Sequence, residues 1–492
     1  MDPRQDAAAT DSLGHAIRTI LPSLERFLRF EGPDPARERS RWRPALDRPL
    51  PAAGIGRDAT LAELADLVVA NGLRVGHPGF SGWVTTMPTD VGAAADLAQA
   101  VAVSQRYWAT PGNFVDHLAM RWLIELLGFP ASSVGTFTSG GSTANLVGIG
   151  AARQHAGERL GLHPSLDGIE GMVEPRVYAS TETHHVVGRA LGVLGMGRRN
   201  LRTIPLDDAG TIDLALLQSA LDEDLAAGCT QVALVGCAGD VNTGRVDPLP
   251  ELARIARERG IWLHVDGAYG GFGLLDDRVR ERYGDVATFD SFAIDPHKWL
   301  AAPVGTGAAI VRDEGILGRA FTIETGDYDR ERHVPVGDAD PGSPFDELGL
   351  GTADWGVDFS MPARGLAVWA ILREIGADGL RERVVRHDDC ARRVAERARG
   401  SDELELLAEP VLSICCFRFR PAGWKDEARL DALNEDVLHG IRARGRVVTS
   451  STRVNGQFAI RPCFINPRTT LADADALVDE VLAVGRELTA GA

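Results

Sequence analysis

One lysine in this chain stands where an apolar, strand-like run meets a polar cluster. Residues 290–300 read Asp-Ser-Phe-Ala-Ile-Asp-Pro-His-Lys-Trp-Leu, so Lys298 follows the apolar run and has His297 and Trp299 as neighbours. A lysine becomes a nucleophile toward carbonyl groups when its surroundings lower its pKa, and delivery into a cleft by a strand is one way to do that. The alternative is a solvated lysine just past a strand end.

A second stretch supplies a carboxylate that suits such a lysine. Residues 261–271 read Ile-Trp-Leu-His-Val-Asp-Gly-Ala-Tyr-Gly-Gly, the pattern of a buried strand that closes on Asp266 and a glycine-rich turn. Open α/β sheets bind ligands at the carboxyl ends of their strands, so we expect Asp266 and Lys298 at one edge. Pyridoxal phosphate sites use such a pair, a Schiff-base lysine and a carboxylate that keeps the pyridine nitrogen protonated. Taken alone, Asp266 could equally be a turn or helix-capping residue.

A third stretch offers an anion site. Residues 135–146 read Gly-Thr-Phe-Thr-Ser-Gly-Gly-Ser-Thr-Ala-Asn-Leu, a glycine-rich turn before a segment with helical apolar spacing. Backbone N–H groups and hydroxyls at a helix start can bind a phosphate dianion. The spacing matches neither a Walker loop nor a dinucleotide fingerprint, and an ordinary Ser/Gly loop is the alternative.

Together the three stretches resemble the group II pyridoxal-phosphate-dependent amino acid decarboxylases, the family of aromatic-L-amino-acid and glutamate decarboxylases. The resemblance runs from about His77 to the C-terminus and is strongest at 264–269 and 295–299. It implies an α/β, fold-type I architecture, pyridoxal 5'-phosphate as cofactor, a small-molecule amino acid as substrate, and a homodimer whose active sites form at the subunit interface.

The resemblance assigns roles to individual residues. Lys298 is similar to the Schiff-base lysine, Asp266 to the pyridinium partner and Ala268 to a residue against the ring, whereas His184, favoured over His185, matches the histidine on the other ring face. The positions that match phosphate-contacting residues are Gly141, Ser142 and His297.

A catalytic loop is the fourth part of the resemblance. Tyr328 matches the tyrosine of the family's mobile loop, and it lies in the charged, Gly- and Pro-containing stretch 324–356. A surface insert is the plain alternative to a lid, and we favour the lid because Tyr328 lies inside it.

Substrate-contacting positions follow from the resemblance as well. Arg461 matches a residue that meets a substrate carboxylate in glutamate decarboxylases, with a structural ion pair as the alternative. Trp83, Val84 and Thr86 match the substrate pocket of aromatic decarboxylases, which favours an aromatic substrate. The positions expected to shape the partner subunit's pocket are Val103, Gln105 and Tyr107.

The chain also departs from the family pattern. Gly239-Asp240-Val241 stands where many members have Gly-Thr-Thr, so a hydroxyl near the ring is lost. Asp295 occupies a position where the aromatic decarboxylases have asparagine and other members carry aspartate, and Gln105 replaces an aromatic residue. Met361-Pro362 replaces an arginine pair and leaves Arg364 as the nearest cation. These differences leave the substrate open.

The apolar pattern predicts three regions. Residues 1–76 form a helical arm expected to pack on the partner subunit, with Pro22 kinking or dividing its helix. From about residue 77 to residue 313, strands (232–235, 261–265, 291–294, 307–311) alternate with helices, which indicates a mainly parallel sheet. With the loop 324–356, this part makes up the region 77–356, which the resemblance implies as the cofactor-binding domain. Residues 357–492 form a small α/β domain with a helical region at 363–400, strands at 412–420 and 457–465, and a last helix at 471–488.

Composition agrees with an enzyme that binds small molecules. A formal net charge of −17 disfavours nucleic acid and anionic membranes as partners. Six cysteines show neither CxxC nor metal spacing and read as buried thiols, so no metal is expected. No secretory signal or membrane span is visible, and the cytoplasm is the expected location.

The sequence therefore predicts a carboxy-lyase that converts an L-amino acid to its amine and CO2. Two alternatives stay open: an oxidative decarboxylating aldehyde synthase or carbon–carbon lyase on the same scaffold, and a non-catalytic protein of this fold. The presence of Tyr328 and His184 favours the amine product, and Lys298 with Asp266 argues against a non-catalytic protein.

Overall fold

The computed structural model describes residues 3–30, 38–104, 111–321 and 355–490. Its helices are α1 (Pro3–Leu28), α2 (Arg39–Leu46), α3 (Arg57–Glu63), α4 (Asp90–Ala102), α5 (Pro111–Leu127), α6 (Gly141–Glu158), α7 (Pro164–Asp167), α8 (Val186–Val193), α9 (Leu214–Ala226), α10 (Leu249–Arg259), α11 (Glu314–Phe321), α12 (Gly365–Arg399), α13 (Glu427–Arg444) and α14 (Leu471–Thr489). Its strands are β1 (Phe80–Ser81), β2 (Val134–Thr138), β3 (Arg176–Ser180), β4 (Leu201–Ile204), β5 (Gln231–Cys237), β6 (Trp262–Gly267), β7 (Ser291–Ile294), β8 (Gly307–Val311), β9 (Leu404–Ala408), β10 (Cys416–Phe419), β11 (Val448–Val454) and β12 (Gln457–Arg461).

Seven strands form the larger sheet in the order β2-β8-β7-β6-β5-β3-β4. The β4, β3, β5, β6 and β7 strands pair in parallel, and β8 runs antiparallel to both of its neighbours. The predicted strands 291–294 and 307–311 coincide with β7 and β8. This mainly parallel sheet and its covering helices confirm the expected α/β, fold-type I architecture.

Both faces of the larger sheet are buried, as parallel sheets require. Leu263 and Val265 of β6 pack into the core on one face, whereas Trp262 packs with α6 and α8 on the other. His264, fully buried on the α6 side, has one ring nitrogen 2.9 Å from Asn145 Oδ1 and the other 2.8 Å from Ser291 Oγ. Helix α6 is thereby fixed against the strands that carry the candidate site.

Gly148 lets α6 approach β6 closely. A Cβ atom at this position would lie 2.5 Å from the His264 ring. We expect Gly148→Ala to lower the free energy of unfolding by about 1–3 kcal/mol, because the ring is held by two hydrogen bonds and cannot retreat. Denaturant unfolding measures this. Gly188→Ala in α8 is the matched control, since its Cβ would meet only Leu201 at 3.5 Å, and an equal loss there would contradict the packing argument.

The smaller sheet has the order β1-β11-β12-β10-β9. Only β1 is parallel to its neighbour, and it comes from the segment that precedes α4. Residues 80–81 therefore pair with the C-terminal sheet, although the sequence grouped them with the larger domain. The proposed boundaries at 76 and 356 stay a prediction.

The helical expectations are met with small differences. Helix α1 continues through Pro22 and is not divided there. The region 363–400 is α12, with non-helical backbone at Gly376 (φ 68°, ψ 179°). The six cysteines are free and buried, as predicted. In the described part of the chain, no helix has the length and apolar character needed to cross a membrane.

Candidate active site

A cavity of about 440 Å³ lies at the carboxyl ends of β6 and β7, beside the start of α6. Its lining includes Lys298, Asp266 and His184. Because β6 and β7 are parallel neighbours, their carboxyl ends share one edge of the sheet, as the sequence predicted. The volume is in the range typical of sites for small molecules and cofactors.

Lys298 lies in a turn that is fixed on both sides. Its backbone N–H donates to the Asp295 carbonyl at 2.9 Å, and the buried Trp299 donates from Nε1 to the Tyr269 carbonyl at 2.5 Å. Lys298 Nζ lies 3.0 Å from Asp295 Oδ2, and the two side chains are 16% and 4% exposed. The lysine therefore enters the cavity as a partly buried side chain beside the carboxyl group of Asp295.

Asp266 ends its strand with a carboxylate at the cavity wall. The residue is 8% exposed, and Oδ1 accepts a hydrogen bond from the Ala268 N–H at 3.1 Å. No described lysine, arginine or histidine pairs with it within 4 Å. Two residues earlier, burial lowers the pKa of His264 to about 4, so His264 is neutral at physiological pH.

The first turn of α6 forms part of the cavity wall. Gly140 has φ 133°, a conformation that favours glycine, and Gly141 begins the helix. A Cβ atom on Gly141 would lie 2.7 Å from Asp295 Oδ2 and 2.9 Å from the Ala268 side chain. The unpaired N–H groups of a first helical turn suit an anion, and Ser142 and His297 line the same part of the cavity.

His184 lines the cavity and His185 does not. His184 lies two residues before the start of α8 and accepts the Val186 N–H at Nδ1 over 3.4 Å. Burial, together with the nearby His185, lowers its pKa, so the ring is neutral at neutral pH. A neutral imidazole can lie against a protonated aromatic ring without charge repulsion.

The residues predicted to contact the substrate lie in different surroundings in the structure. Val84 lines the cavity, whereas Thr86 is fully buried outside the lining. Trp83 and Val103 are half exposed and have φ of 53° and 51°, values that are rare for non-glycine residues and strained for a β-branched one. Gln105, Tyr107 and Tyr328 lie outside the described residues.

Arg461 is buried outside the cavity lining and bonds to backbone. Its Nη1 donates to the Trp83 carbonyl at 3.1 Å, and its Nη2 donates to the Val241 carbonyl. No described carboxylate pairs with it within 4 Å. The described residues therefore do not form the structural ion pair considered from the sequence, and the contact with a substrate carboxylate stays a prediction. Arg461 joins β12 to the segments that carry Trp83 and Val241.

Two acidic residues of the cavity lining were not among the site residues predicted from the sequence. Asp240 accepts backbone N–H groups from Asn242, Thr243 and Arg245, so it builds the turn after β5. Glu182 accepts from Asn242 Nδ2 at 2.6 Å, and Asn242 Oδ1 accepts from Thr452 at 2.7 Å. The position of Glu182, two residues before His184, was the available signal for its presence here.

The described residues fit pyridoxal phosphate. The cavity is lined by a lysine, an unpaired carboxylate and a helix start whose glycine cannot be replaced without a clash. The described residues hold no cluster suited to a metal ion. Fold and cavity together define the class of pyridoxal-phosphate-dependent α/β enzymes.

Residues 58–420 match the family model described as the pyridoxal-dependent decarboxylase conserved domain, and the chain belongs to this family. An aromatic-L-amino-acid decarboxylase of Bacillus atrophaeus is 29% identical over 420 residues, 85% of this chain and 83% of the relative. An L-2,4-diaminobutyrate decarboxylase of Acinetobacter baumannii is 24% identical over 500 residues, 98% and 94% of the two chains. The crystal structure of Oryza sativa TDC with PLP and tryptamine matches with a TM-score of 0.86 at 24% identity, covering 99% of both chains.

These matches confirm several expectations drawn from the sequence. The chain is a pyridoxal-phosphate-dependent carboxy-lyase that acts on an amino acid. The alternative of a non-catalytic protein is thereby not supported. The relatives carry different substrate names, so the substrate is not fixed by the family.

Proposed function

We propose that this enzyme decarboxylates an aromatic L-amino acid to the amine and CO2. The observation that carries the proposal is the meeting of Lys298, Asp266, His184 and the start of α6 in one cavity. The aromatic substrate is supported by the name of the Bacillus relative and by the apolar lining residues Val84, Val186 and Val241.

Each residue then has a role that its surroundings support. Lys298 would hold the cofactor covalently, and the α6 start with Gly141, Ser142 and His297 would hold its phosphate. Asp266 would keep a proton on the pyridine nitrogen, while Ala268 and His184 would contact the two ring faces. Bound there, pyridoxal phosphate supplies an electron sink for the pair released when the Cα–carboxylate bond breaks.

Proton delivery is assigned to the loop. Tyr328 would donate a proton to Cα after CO2 leaves, and the stretch 324–356 would close over the cavity as a lid. This assignment rests on the sequence resemblance alone.

A second candidate substrate class is favoured by one observation. Glu182 presents a carboxylate to the cavity, and no described cation pairs with it within 4 Å. A carboxylate in this position suits a side-chain ammonium, and two relatives are named L-2,4-diaminobutyrate decarboxylases. The two classes are separated by one assay.

Purified, cofactor-loaded enzyme is incubated with each common amino acid and with 2,4-diaminobutyrate, and mass spectrometry and a peroxide assay detect amine, aldehyde and peroxide. We expect an amine from aromatic amino acids without stoichiometric peroxide. An amine from diaminobutyrate alone would replace the aromatic substrate. Oxygen consumption with aldehyde would favour the aldehyde synthase.

Tyr328→Phe tests the proton donor in the same assay. We expect amine formation to slow by about 10²- to 10⁴-fold, the usual contribution of a general acid, while cofactor binding is kept. Part of the product should change to aldehyde with peroxide, because Cα would wait longer for its proton and molecular oxygen could act as the oxidant instead. Wild-type behaviour of the variant would mean that Tyr328 is only a loop residue.

We also propose a homodimer. Apolar side chains stand exposed around the cavity rim and on α4, where a second copy would cover them. They are Leu97, Val101, Val103, Val241 and Val304. Sedimentation velocity should give twice the chain mass, and a monomer that is fully active would contradict a shared site.

A further inference from the structure

His297 enters the cavity with one ring nitrogen already engaged. Its Nδ1 lies 2.9 Å from the carbonyl oxygen of Thr306, and its backbone N–H donates to the same oxygen at 3.2 Å. A carbonyl oxygen only accepts, so Nδ1 carries the proton and donates it. A neutral imidazole has one N–H, and Nε2 of neutral His297 is therefore an acceptor.

A phosphate beside Nε2 would need a hydrogen-bond donor there, and Nε2 of the neutral ring is an acceptor. It has no hydrogen-bond partner among the described residues. The Cε1 edge of the ring lies 3.8 Å from the place of a Cβ on Gly140, directly before the first turn of α6. The oxygens of a phosphate ester are strong acceptors with a charge near −2. Two acceptors repel, so a contact requires a second proton on the ring.

The charges around the ring include one suited to that proton. Asp295 Oδ1 lies 3.6 Å from His297 Nδ1 and is buried without a hydrogen-bond partner, while Oδ2 is engaged by Lys298. Three positive groups oppose a charge on the ring: Lys298, the N-terminus of α6 and Arg364. The Arg364 Nη1 lies 3.3 Å from the place of a Cβ on Gly305. Asp295 is thus the counter-ion available to a protonated His297.

We propose that His297 binds the cofactor phosphate as an imidazolium, with Asp295 as its counter-ion, so that phosphate binding takes up one proton. The inference rests on the proposed placement of the phosphate at the start of α6. It gives Asp295, which departs from the asparagine of aromatic decarboxylases, a role in cofactor binding. Cofactor affinity then falls as the pH rises and the free ring loses its proton.

Inorganic sulfate is the probe for the cofactor-free chain, because it stays a dianion from about pH 6 to pH 9 and any proton taken up must go to the protein. Calorimetry in buffers of different ionisation enthalpy counts the protons. We expect the affinity to fall with rising pH and the uptake to approach one proton per sulfate on the alkaline side. Sulfate binding without uptake overturns the proposal.

His297→Gln locates the proton. The glutamine amide donates an N–H without titrating, so sulfate binding should persist with no uptake and little dependence on pH. Circular dichroism and thermal unfolding check the fold. Uptake that persists in this variant places the proton on another group and overturns the role of His297.

Ser142→Ala is the matched control in the same wall. Loss of one hydroxyl should weaken sulfate binding several-fold and leave the proton count unchanged. Bound cofactor should abolish the sulfate signal in the wild type. If Ser142→Ala binds sulfate like the wild type and bound cofactor does not prevent sulfate binding, the proposed placement of the phosphate is wrong. This outcome differs from sulfate binding at the proposed place without proton uptake by His297, which would overturn only the role of His297.

Discussion

Replacement of Lys298 by alanine should lower the decarboxylation rate at least about 10³-fold. The reason is that no other side chain in the described lining of the cavity can hold the cofactor covalently. The chain contains two lysines, Lys298 and Lys425, and Lys425 is exposed. Borohydride reduction of the wild-type holoenzyme should fix the cofactor to the peptide that contains Lys298. Peptide mass spectrometry identifies the site.

Lys425→Ala is the matched control, and it should react and turn over like the wild type. The low number of lysines makes the assignment unusually sharp, since besides the N-terminal amine only one other amine competes. Cofactor fixed to Lys425 in the wild type would refute the site.

Asp266→Asn should lower turnover on the order of 10²- to 10³-fold with a smaller loss of cofactor affinity. The amide keeps the shape and can still accept the Ala268 N–H, so the strand end is preserved. It lacks the negative charge that holds a proton on the pyridine nitrogen. Steady-state kinetics and equilibrium dialysis of cofactor separate the two effects.

Asp240→Asn serves as the comparison, because Asp240 also lines the cavity but bonds to the N–H groups of its own turn. We expect the Asp240→Asn variant to lose free energy of unfolding. Its turnover rate per molecule of bound cofactor should change less. Turnover of Asp266→Asn at the wild-type rate would disprove the assigned role.

Much of the larger sheet could be predicted because its signals are local. Buried parallel strands are short continuous apolar runs, and β7 and β8 have the predicted bounds. The carboxyl ends of parallel strands then fix where Asp266 and Lys298 meet. The smaller sheet was less predictable: β12 ends at Arg461, before Pro462, because proline has no N–H for the ladder.

Contacts between distant segments could not be predicted. Arg461 donates to carbonyls 378 and 220 residues away, and no sequence spacing reports such a partner. Strand β1 has only two residues and acquires its structure from pairing with β11. The Glu182–Asn242–Thr452 hydrogen bonds likewise depend on how three separate turns pack.

The pairing of β1 with β11 divides the cavity between two sheets. Val84 follows β1, on a segment tied to the C-terminal sheet at Ser450 and Arg461, whereas Asp266 and Lys298 follow strands of the larger sheet. A change in the C-terminal sheet would therefore reshape the wall that we expect to meet the substrate, while the residues proposed to hold the cofactor stay in place. In evolutionary terms, substrate preference and cofactor retention can vary independently in this chain.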